Sequence, residues 1–317
     1  FDPEGVRGAR HNNKDQSIRL NAVYASPGYT PGVIQPGQWT VVIDTHRILP
    51  RDPVTYELKI SLSDEAVADQ PPKWSSSVFP THGPGWYRGD LHGHTLHSDG
   101  SWDVPEFVAH AREIGLDFVT LTDHNTVSAL AQHDSFTDND FLTMGGMELT
   151  TYYGHALALG TREWVEWRID SENVTMQQLA AQITQAGYLF ITAHPLSVGD
   201  PECTGCRWEY EDMMPGNSPA VEIWNGPWNN SDSNNEEGLQ LYYKWLNQGH
   251  RIVATAGTDI HGKPSTEQIK TERNGYNVVY ANDLTEEEIL TAIRLGHLYL
   301  SSGPDLRLTA ESNERPP

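Results

Sequence analysis

Residues 90–100 read Asp-Leu-His-Gly-His-Thr-Leu-His-Ser-Asp-Gly and follow the first strand of a long alternating pattern. Successive side chains of an extended strand point to opposite faces, so His92 and His94 are expected to share one face. Two imidazoles on one face can bind a single cation, because zinc, manganese and iron all accept imidazole nitrogen. The segment therefore predicts a metal site at the carboxyl end of a strand.

Ionisable side chains follow four further predicted strands. His124 comes after residues 116–122, Glu148 after a short segment ending at Met147, and His155 seven residues later; His194 follows residues 188–193, and Asp259 and His261 follow residues 251–256. In parallel α/β folds the carboxyl ends of the strands form the active-site edge. Burying so many ionisable groups together would be costly without cations. We therefore predict a multinuclear metal site.

Strands and helices alternate from about residue 86 onward. Helix starts are indicated by a capping residue with Glu or Gln three positions later, at Asp103, Thr175 and Thr285. Glycines at positions 115, 187, 249 and 296 are expected to end the helices. Repeated β–α units of this kind predict a parallel sheet or barrel.

The first 80 residues have a different composition. Pro-Gly pairs are frequent, and residues 40–43 and 56–62 have strand-like patterns. In the second of these, Tyr56, Leu58 and Ile60 alternate with polar residues, which predicts a half-buried strand. We expect a small antiparallel β domain with its linker over residues 1–84 and the main catalytic domain over residues 85–317.

The length and net charge of the chain argue against several classes of function. A chain of 317 residues buries about 75% of its unfolded surface, so it needs no disulfide or zinc site to fold. Its formal net charge of −22 argues against binding to nucleic acid or to anionic membranes, and no run of 18 apolar residues suggests a membrane span. We expect a small-molecule substrate and no nucleic-acid partner. The sequence does not indicate an oligomeric state.

The two cysteines, Cys203 and Cys206, form a single CxxC pair. A structural zinc site of this kind would need a second pair. Either a small loop disulfide or two free thiols fit the spacing, and we expect the disulfide. Together with a chain that begins at Phe1, this favours a periplasmic or secreted protein, with the cytoplasm as the alternative.

Five motifs together resemble the polymerase-and-histidinol-phosphatase (PHP) superfamily. They are residues 90–100, Leu121-Thr-Asp-His-Asn125, Gly146-Met-Glu148, Ala193-His-Pro195 and Thr258-Asp-Ile-His261. Residues 84–92 and the β-rich region before them look most like the carbaryl-hydrolase-like branch. The resemblance implies a distorted (β/α)₇ barrel, preceded here by the small β domain, with two or three divalent metals (Zn, Mn or Fe).

The resemblance also implies a role for each matching residue. His92, His94 and Asp259 match ligands of a first metal, and Glu148 matches the carboxylate that bridges the first two metals. His194 and His155 match second-metal ligands, and Asp99, His124 and His261 match a third site. His97 matches no ligand, and we expect it to face solvent rather than substrate. Asp123 either orients a ligand ring or is solvated.

These features predict a metal-dependent phosphoesterase. A hydroxide bridging two cations would attack phosphorus, with Glu148, Asp259 and His194 as the catalytic residues. We expect small-molecule or sugar phosphodiesters as substrates, and a carbamate or carboxylic ester as the alternative, because the same site can attack carbon. Arg207, Lys263 and Arg273 are candidate phosphate contacts in loops, and the turn-rich Asn225–Asn230 segment suits a pocket lip.

Overall fold

The computed structural model describes residues 1–11, 16–45, 50–51, 53–64, 82–169, 174–203, 205–213, 218–265, 267–268 and 273–303. Its strands are β1 (Gly85–Asp90), β2 (Phe118–Leu121), β3 (Leu142–Thr151), β4 (Gly154–Leu159), β5 (Leu189–Thr192), β6 (Ala220–Asn225), β7 (Val253–Gly257), β8 (Tyr276–Ala281) and β9 (Leu298–Ser301). Its α-helices are α1 (Val104–Glu113), α2 (Leu130–Asp134), α3 (Met176–Gln185), α4 (Asn235–Asn247) and α5 (Glu286–Arg294), and a 3₁₀ turn spans Glu211–Met213.

Side-chain caps fix the helix starts that the sequence predicts. The Asp103 carboxylate accepts a hydrogen bond from the Glu106 backbone N–H (2.9 Å), and the Glu106 carboxylate accepts one from the Asp103 N–H (3.0 Å). Thr175 and Gln178 form the same reciprocal pair at the start of α3. Each pair satisfies two backbone donors that the helix itself leaves unpaired. Among the described helices, none is long and apolar enough to cross a membrane.

The described strands form one sheet in the order β7-β6-β5-β4-β3-β2-β1-β8-β9. The sheet curls until β7 and β8 face each other. Asn277 of β8 is fully buried, and its side-chain amide donates to the Ala256 carbonyl (2.7 Å) and accepts from the Ala256 N–H (3.0 Å) on β7. This side chain takes the place of a backbone ladder, and the sheet becomes a nearly closed barrel.

The predicted α/β class is confirmed, and the pairing is mixed rather than parallel throughout. The pairs β1–β2, β2–β3, β5–β6 and β6–β7 are parallel, whereas β3–β4, β4–β5, β1–β8 and β8–β9 are antiparallel. The physical reason is clearest at β3 and β4, which are joined by only Tyr152 and Tyr153. A parallel crossover needs a dozen or more residues, so a two-residue connection forces a hairpin.

Helix faces and strands share four buried apolar clusters. Phe107 and Val108 of α1 pack in the same cluster as Val119 of β2, and Leu179 of α3 packs in the same cluster as Phe190 of β5. Burial of a large apolar side chain contributes about 1.5–3 kcal/mol, so each such face anchors its helix firmly on the sheet. Rigid packing of this kind holds the strand ends, and the side chains that follow them, in fixed positions.

The antiparallel β domain predicted before the barrel is not seen in the described N-terminal residues. Residues 40–43 and 56–62 carry no strand pairing, and Tyr56, Ile60 and Leu62 are 72%, 74% and 89% exposed. Pairing in residues 1–45 consists of isolated bridges, such as the one between Gly8 and Tyr29. An alternating pattern predicts a strand only where a partner strand is present to pair with it. Residues 65–81 of the predicted linker lie outside the described residues, and the boundary at residue 84 stays a prediction.

Candidate metal centre

The nine residues predicted as metal ligands meet at one end of the barrel. His92 and His94 follow β1, His124 follows β2, His194 follows β5, and Asp259 and His261 follow β7. Glu148 differs from its prediction, because it lies within β3 rather than after a strand. The β3–β4 hairpin brings His155 to the same end, where it is the Cα partner of Thr150. Asp99 lies in the loop after His94.

Glu148 is the centre of the network. It is fully buried, and five imidazoles surround its carboxylate. The contacts to Oε2 are His124 Nδ1 at 2.9 Å, His92 Nε2 at 3.1 Å and His94 Nε2 at 3.2 Å; those to Oε1 are His155 Nδ1 at 3.0 Å and His194 Nε2 at 3.3 Å. Both carboxylate oxygens therefore face several potential ligand nitrogens.

Asp259 and Asp99 extend the network in two directions. Asp259 Oδ1 lies 2.9 Å from His94 Nε2 and 3.4 Å from His92 Nε2. Asp99 Oδ1 lies 3.3 Å from His261 Nε2 and 3.6 Å from His124 Nε2. Asp259 and His194 adopt positive φ angles of 52° and 25°. Such strained backbone persists only where the surroundings impose it, and it is concentrated at functional sites.

Three groups of donor atoms in the described residues are compact enough to hold a cation. They are His92–His94–Glu148–Asp259, His124–Glu148–His155 and His94–Asp99–His124–His261, and within each group the donor atoms lie within 4.8 Å of one another. Nitrogen and oxygen ligands of zinc lie about 2.0–2.2 Å from the ion, which allows separations of this size. The ligand types suit zinc, manganese or iron.

Several buried polar atoms of the centre have no hydrogen-bond partner. His92 Nε2 and Glu148 Oε2 are 3.1 Å apart but lack hydrogen-bond geometry, and His155 Nε2 is also unsatisfied. Buried unpaired polar atoms are costly and call for an explanation. Ligation of cations would satisfy these atoms, so the residues present fit a polynuclear metal site.

Burial and neighbouring charges shift the pKa values of the metal-centre residues in opposite directions. Burial raises the pKa of Glu148, but the imidazoles of His124 and His92 outweigh it and hold this pKa well below its usual range. Burial lowers the pKa of His92, yet the carboxylates of Asp259 and Glu148 raise it well above its usual range. For His155 burial prevails and lowers the pKa to about 4. The carboxylates are therefore held in their ionised, ligand-competent form.

Glu222 of β6 is a site residue that the sequence analysis missed. It is 1% exposed, and its Oε1 lies 3.1 Å from His92 Nδ1. Its Oε2 accepts hydrogen bonds from the His194 backbone N–H (3.0 Å) and the Asn225 amide (3.2 Å). A Cβ on Gly257 would come within 2.0 Å of Oε1, so only glycine fits beside it. The sequence signal that could have identified Glu222 is a charged residue between two apolar residues of a buried strand.

Glu222 is expected to orient His92 for metal binding. Replacing it by alanine should weaken metal affinity by about 10–100-fold, since carboxylates that hold ligand imidazoles have effects of this size. Glu222→Gln, which keeps a hydrogen-bonding oxygen, should recover part of the loss. Titration of metal-free protein with Zn²⁺ measures the effect, and the exposed Glu287→Ala is the matched control. Equal affinity in the alanine variant and the control would contradict this role.

Buried carboxylates also hold the loops that carry the predicted ligands. Asp90 accepts hydrogen bonds from the Thr258 N–H (3.0 Å) and hydroxyl, next to Asp259, and burial raises its pKa to about 6. Asp123 is 2% exposed and accepts from the Thr95 N–H (2.8 Å) and from the Ser98 hydroxyl (2.7 Å). Neither alternative considered for Asp123 is correct, because it orients the loop after β1 rather than a ligand ring or solvent.

The expectation that His97 faces solvent is wrong. Its Nδ1 lies 2.7 Å from the Ser128 hydroxyl and 3.3 Å from the Gly28 backbone nitrogen. Burial lowers its pKa. His97 therefore joins the barrel to the N-terminal segment.

The three candidate phosphate contacts lie in exposed loops. Lys263 Nζ is 3.9 Å from Glu113 Oε2 at the end of α1, and its side chain is 68% exposed. Arg207 and Arg273 are exposed. No contact recorded among the described residues joins any of the three to the donor cluster, and their role stays a prediction. The Cys203 and Cys206 sulfur atoms are at bonding distance, as a disulfide.

Neither a family model nor a curated protein matches this sequence. Solved structures do show similarity. A two-domain protein from Bacteroides vulgatus, described as containing a predicted PHP-like metal-dependent phosphoesterase, is 20% identical, with a TM-score of 0.49 over 73% of this chain and 69% of that chain.

Two further solved structures are similar at lower scores. A proposed metal-dependent phosphoesterase from Bifidobacterium adolescentis is 18% identical, with a TM-score of 0.44 over 66% of this chain and 96% of that chain. An amidohydrolase from Chromobacterium violaceum, with bound sulfate and no metal, is 15% identical, with a TM-score of 0.41 over 55% of this chain and 87% of that chain. No residue role follows from these similarities.

Proposed function

We propose that this protein is a metal-dependent hydrolase of phosphoesters that acts on small-molecule or sugar phosphodiesters. The observation that carries the proposal is the position of Glu148, whose two oxygens face two donor groups at once. A carboxylate placed in this way could serve as a common ligand of two neighbouring cations. Such cations make water a nucleophile at neutral pH and neutralise charge on a phosphoryl group.

We assign the ligands of each cation from the contacts around Glu148, Asp259 and Asp99. His92, His94 and Asp259 would hold one cation together with Glu148, and His155 and His194 would hold a second, also with Glu148. Asp99, His124 and His261 would hold a third. We assign Glu148, Asp259 and His194 as the catalytic residues, because Glu148 and Asp259 belong to one donor group and His194 Nε2 lies 3.3 Å from Glu148 Oε1. Glu222 and Asp90 keep the rings and loops in place, so that the ligands need no rearrangement when substrate binds.

The negative net charge of the chain favours a small substrate over a nucleic acid. The chain carries a formal net charge of −22, and a nucleic acid would be repelled by such a surface. A small phosphodiester needs only the local charge of the cations. The buried position of the donors also favours a small reacting group.

Elemental analysis and parallel assays test the proposal. Protein reconstituted with Zn²⁺, Mn²⁺ or Fe²⁺ should hold two or three ions per chain. It should hydrolyse bis-p-nitrophenyl phosphate faster than p-nitrophenyl phosphate or 1-naphthyl N-methylcarbamate, and chelator-treated protein is the control. Fewer than two ions per chain would contradict a shared Glu148. Activity on the carbamate alone would replace the phosphoesterase by the alternative, a carbamate or ester hydrolase.

A further inference from the structure

The N-terminal residues 1–11 and 20–32 pack against the end of the barrel that holds the donor cluster. We call these residues the N-terminal cover. Within it, the Ala9 N–H donates to the Gly28 carbonyl (3.1 Å) and the Thr30 N–H donates to the Arg7 carbonyl (2.8 Å). The two parts of the cover are therefore held side by side.

Gly28 joins the cover to the barrel. Its carbonyl accepts a hydrogen bond from the Thr126 hydroxyl (2.9 Å), and its nitrogen lies 3.3 Å from His97 Nδ1. Gly28 has a φ of +91°, and a Cβ there would lie 2.5 Å from the Ala9 carbonyl oxygen and 2.8 Å from that of His97. Only glycine permits this approach, so the cover is seated specifically beside His97 and Thr126.

His11 reaches the donor cluster from this cover. Its ring centroid lies 4.6 Å from that of His124, with the rings tilted by 41°. The side chains that act on it electrostatically are His124, Asp99, His155 and Glu148, all of them members of the centre. His11 is thus part of the site although it lies outside the barrel and outside every motif in the sequence.

The donor groups are complete without His11. Each of the three groups brings together three or four ligand atoms from barrel residues, and His11 belongs to none of them. Its ring contacts that of His124, a member of the His94–Asp99–His124–His261 group. An imidazole next to a cation cluster but outside its ligand set can donate its N–H to an oxygen of a bound anion.

We infer that His11 is a substrate-binding residue, whose imidazole N–H donates a hydrogen bond to a non-bridging oxygen of the phosphoester held at the metal centre. The inference rests on the proposed function, and it identifies His11 as one residue of the substrate site. The N-terminal cover would then take part in substrate recognition, while residues of the barrel would bind the cations.

Binding of inorganic phosphate tests the inference without turnover. Calorimetric titration of Zn²⁺-reconstituted His11→Ala should give a Kd for phosphate about tenfold higher than wild type, because a hydrogen bond to a charged group is lost. KM for bis-p-nitrophenyl phosphate should rise by a similar factor, with kcat little changed. His11→Gln, which retains an N–H donor, should recover part of both effects. The exposed His297→Ala is the matched control.

A second variant disturbs the site without touching His11. Gly28→Val should displace the cover and raise the Kd for phosphate as His11→Ala does. Elemental analysis should find the same metal content in all variants. An unchanged Kd in His11→Ala overturns the inference, and so does loss of an ion, because His11 would then be a metal ligand.

The two proposals can fail separately. If wild-type protein hydrolyses no phosphoester but His11→Ala still weakens phosphate binding, the proposed function fails and the anion-binding role of His11 stands. If wild-type protein is an active phosphodiesterase and His11→Ala binds phosphate normally, only the inference about His11 fails.

Discussion

Replacing His92 and Asp259 together by alanine is expected to lower the turnover of bis-p-nitrophenyl phosphate by at least about 10³-fold. The two side chains lie 3.4 Å apart and belong to the same donor group, which retains only His94 and Glu148 without them. Two ligands do not hold a divalent cation in a fixed geometry. Elemental analysis should therefore find one ion fewer per chain, and steady-state kinetics should show the loss in kcat.

A matched double variant separates this effect from damage to the fold. Glu287→Ala with His297→Ala removes one carboxylate and one imidazole from exposed positions, and it should keep full metal content and turnover. Thermal unfolding followed by circular dichroism checks that both double variants are folded. Undiminished turnover in the folded His92/Asp259 variant would refute the assignment of the first donor group.

Replacing Glu148 by alanine is expected to remove two ions rather than one. Glu148 is shared by the group with His92, His94 and Asp259 and by the group with His124 and His155. The third group, which contains Asp99 and His261, does not use it. Turnover should again fall by at least about 10³-fold, since the cations that act on the substrate are lost. Elemental analysis of the variant reconstituted with Zn²⁺ should find at most one ion per chain.

The number of ions lost distinguishes a shared carboxylate from an ordinary ligand. Loss of a single ion from Glu148→Ala, as from the His92/Asp259 variant, would mean that Glu148 serves one cation only. The proposal of neighbouring cations held by one carboxylate would then be wrong. Glu287→Ala serves as the single-residue control.

The sequence predicted the elements of the barrel well because their signals are local. The capping pairs at Asp103 and Thr175 act over three residues, and the observed helices begin directly after them. The strand predicted at residues 116–121 is observed at Phe118–Leu121, and the one predicted at residues 251–256 is observed at Val253–Gly257. At residues 56–62 the alternating pattern predicted a strand, but these residues pair with no strand among the described parts of the chain.

The sequence predicted a metal site, but it did not predict the contacts that hold the ligands in place. The positions of imidazoles and carboxylates near predicted strands identified eight of the nine candidate ligands, and the motif resemblance added Asp99; the structure places all nine in one network. Glu222 was missed, although it contacts His92 across 130 residues of sequence. His11 was missed because nothing in the sequence relates it to His124. Asp123 was noticed, but its role in holding the loop at Thr95 became clear only from its hydrogen bonds.

Sequence alone determined where most of the barrel helices begin and where several of its strands lie, and which side chains have the chemistry of metal ligands, because these features depend on neighbours only a few residues away. Tertiary structure alone decided that β3 and β4 pair antiparallel, that Asn277 bridges β7 and β8, and that Glu148 is shared by five imidazoles. Each of these features depends on how distant segments pack against one another. Their free energy comes from burying and pairing groups that meet only when the whole chain has folded.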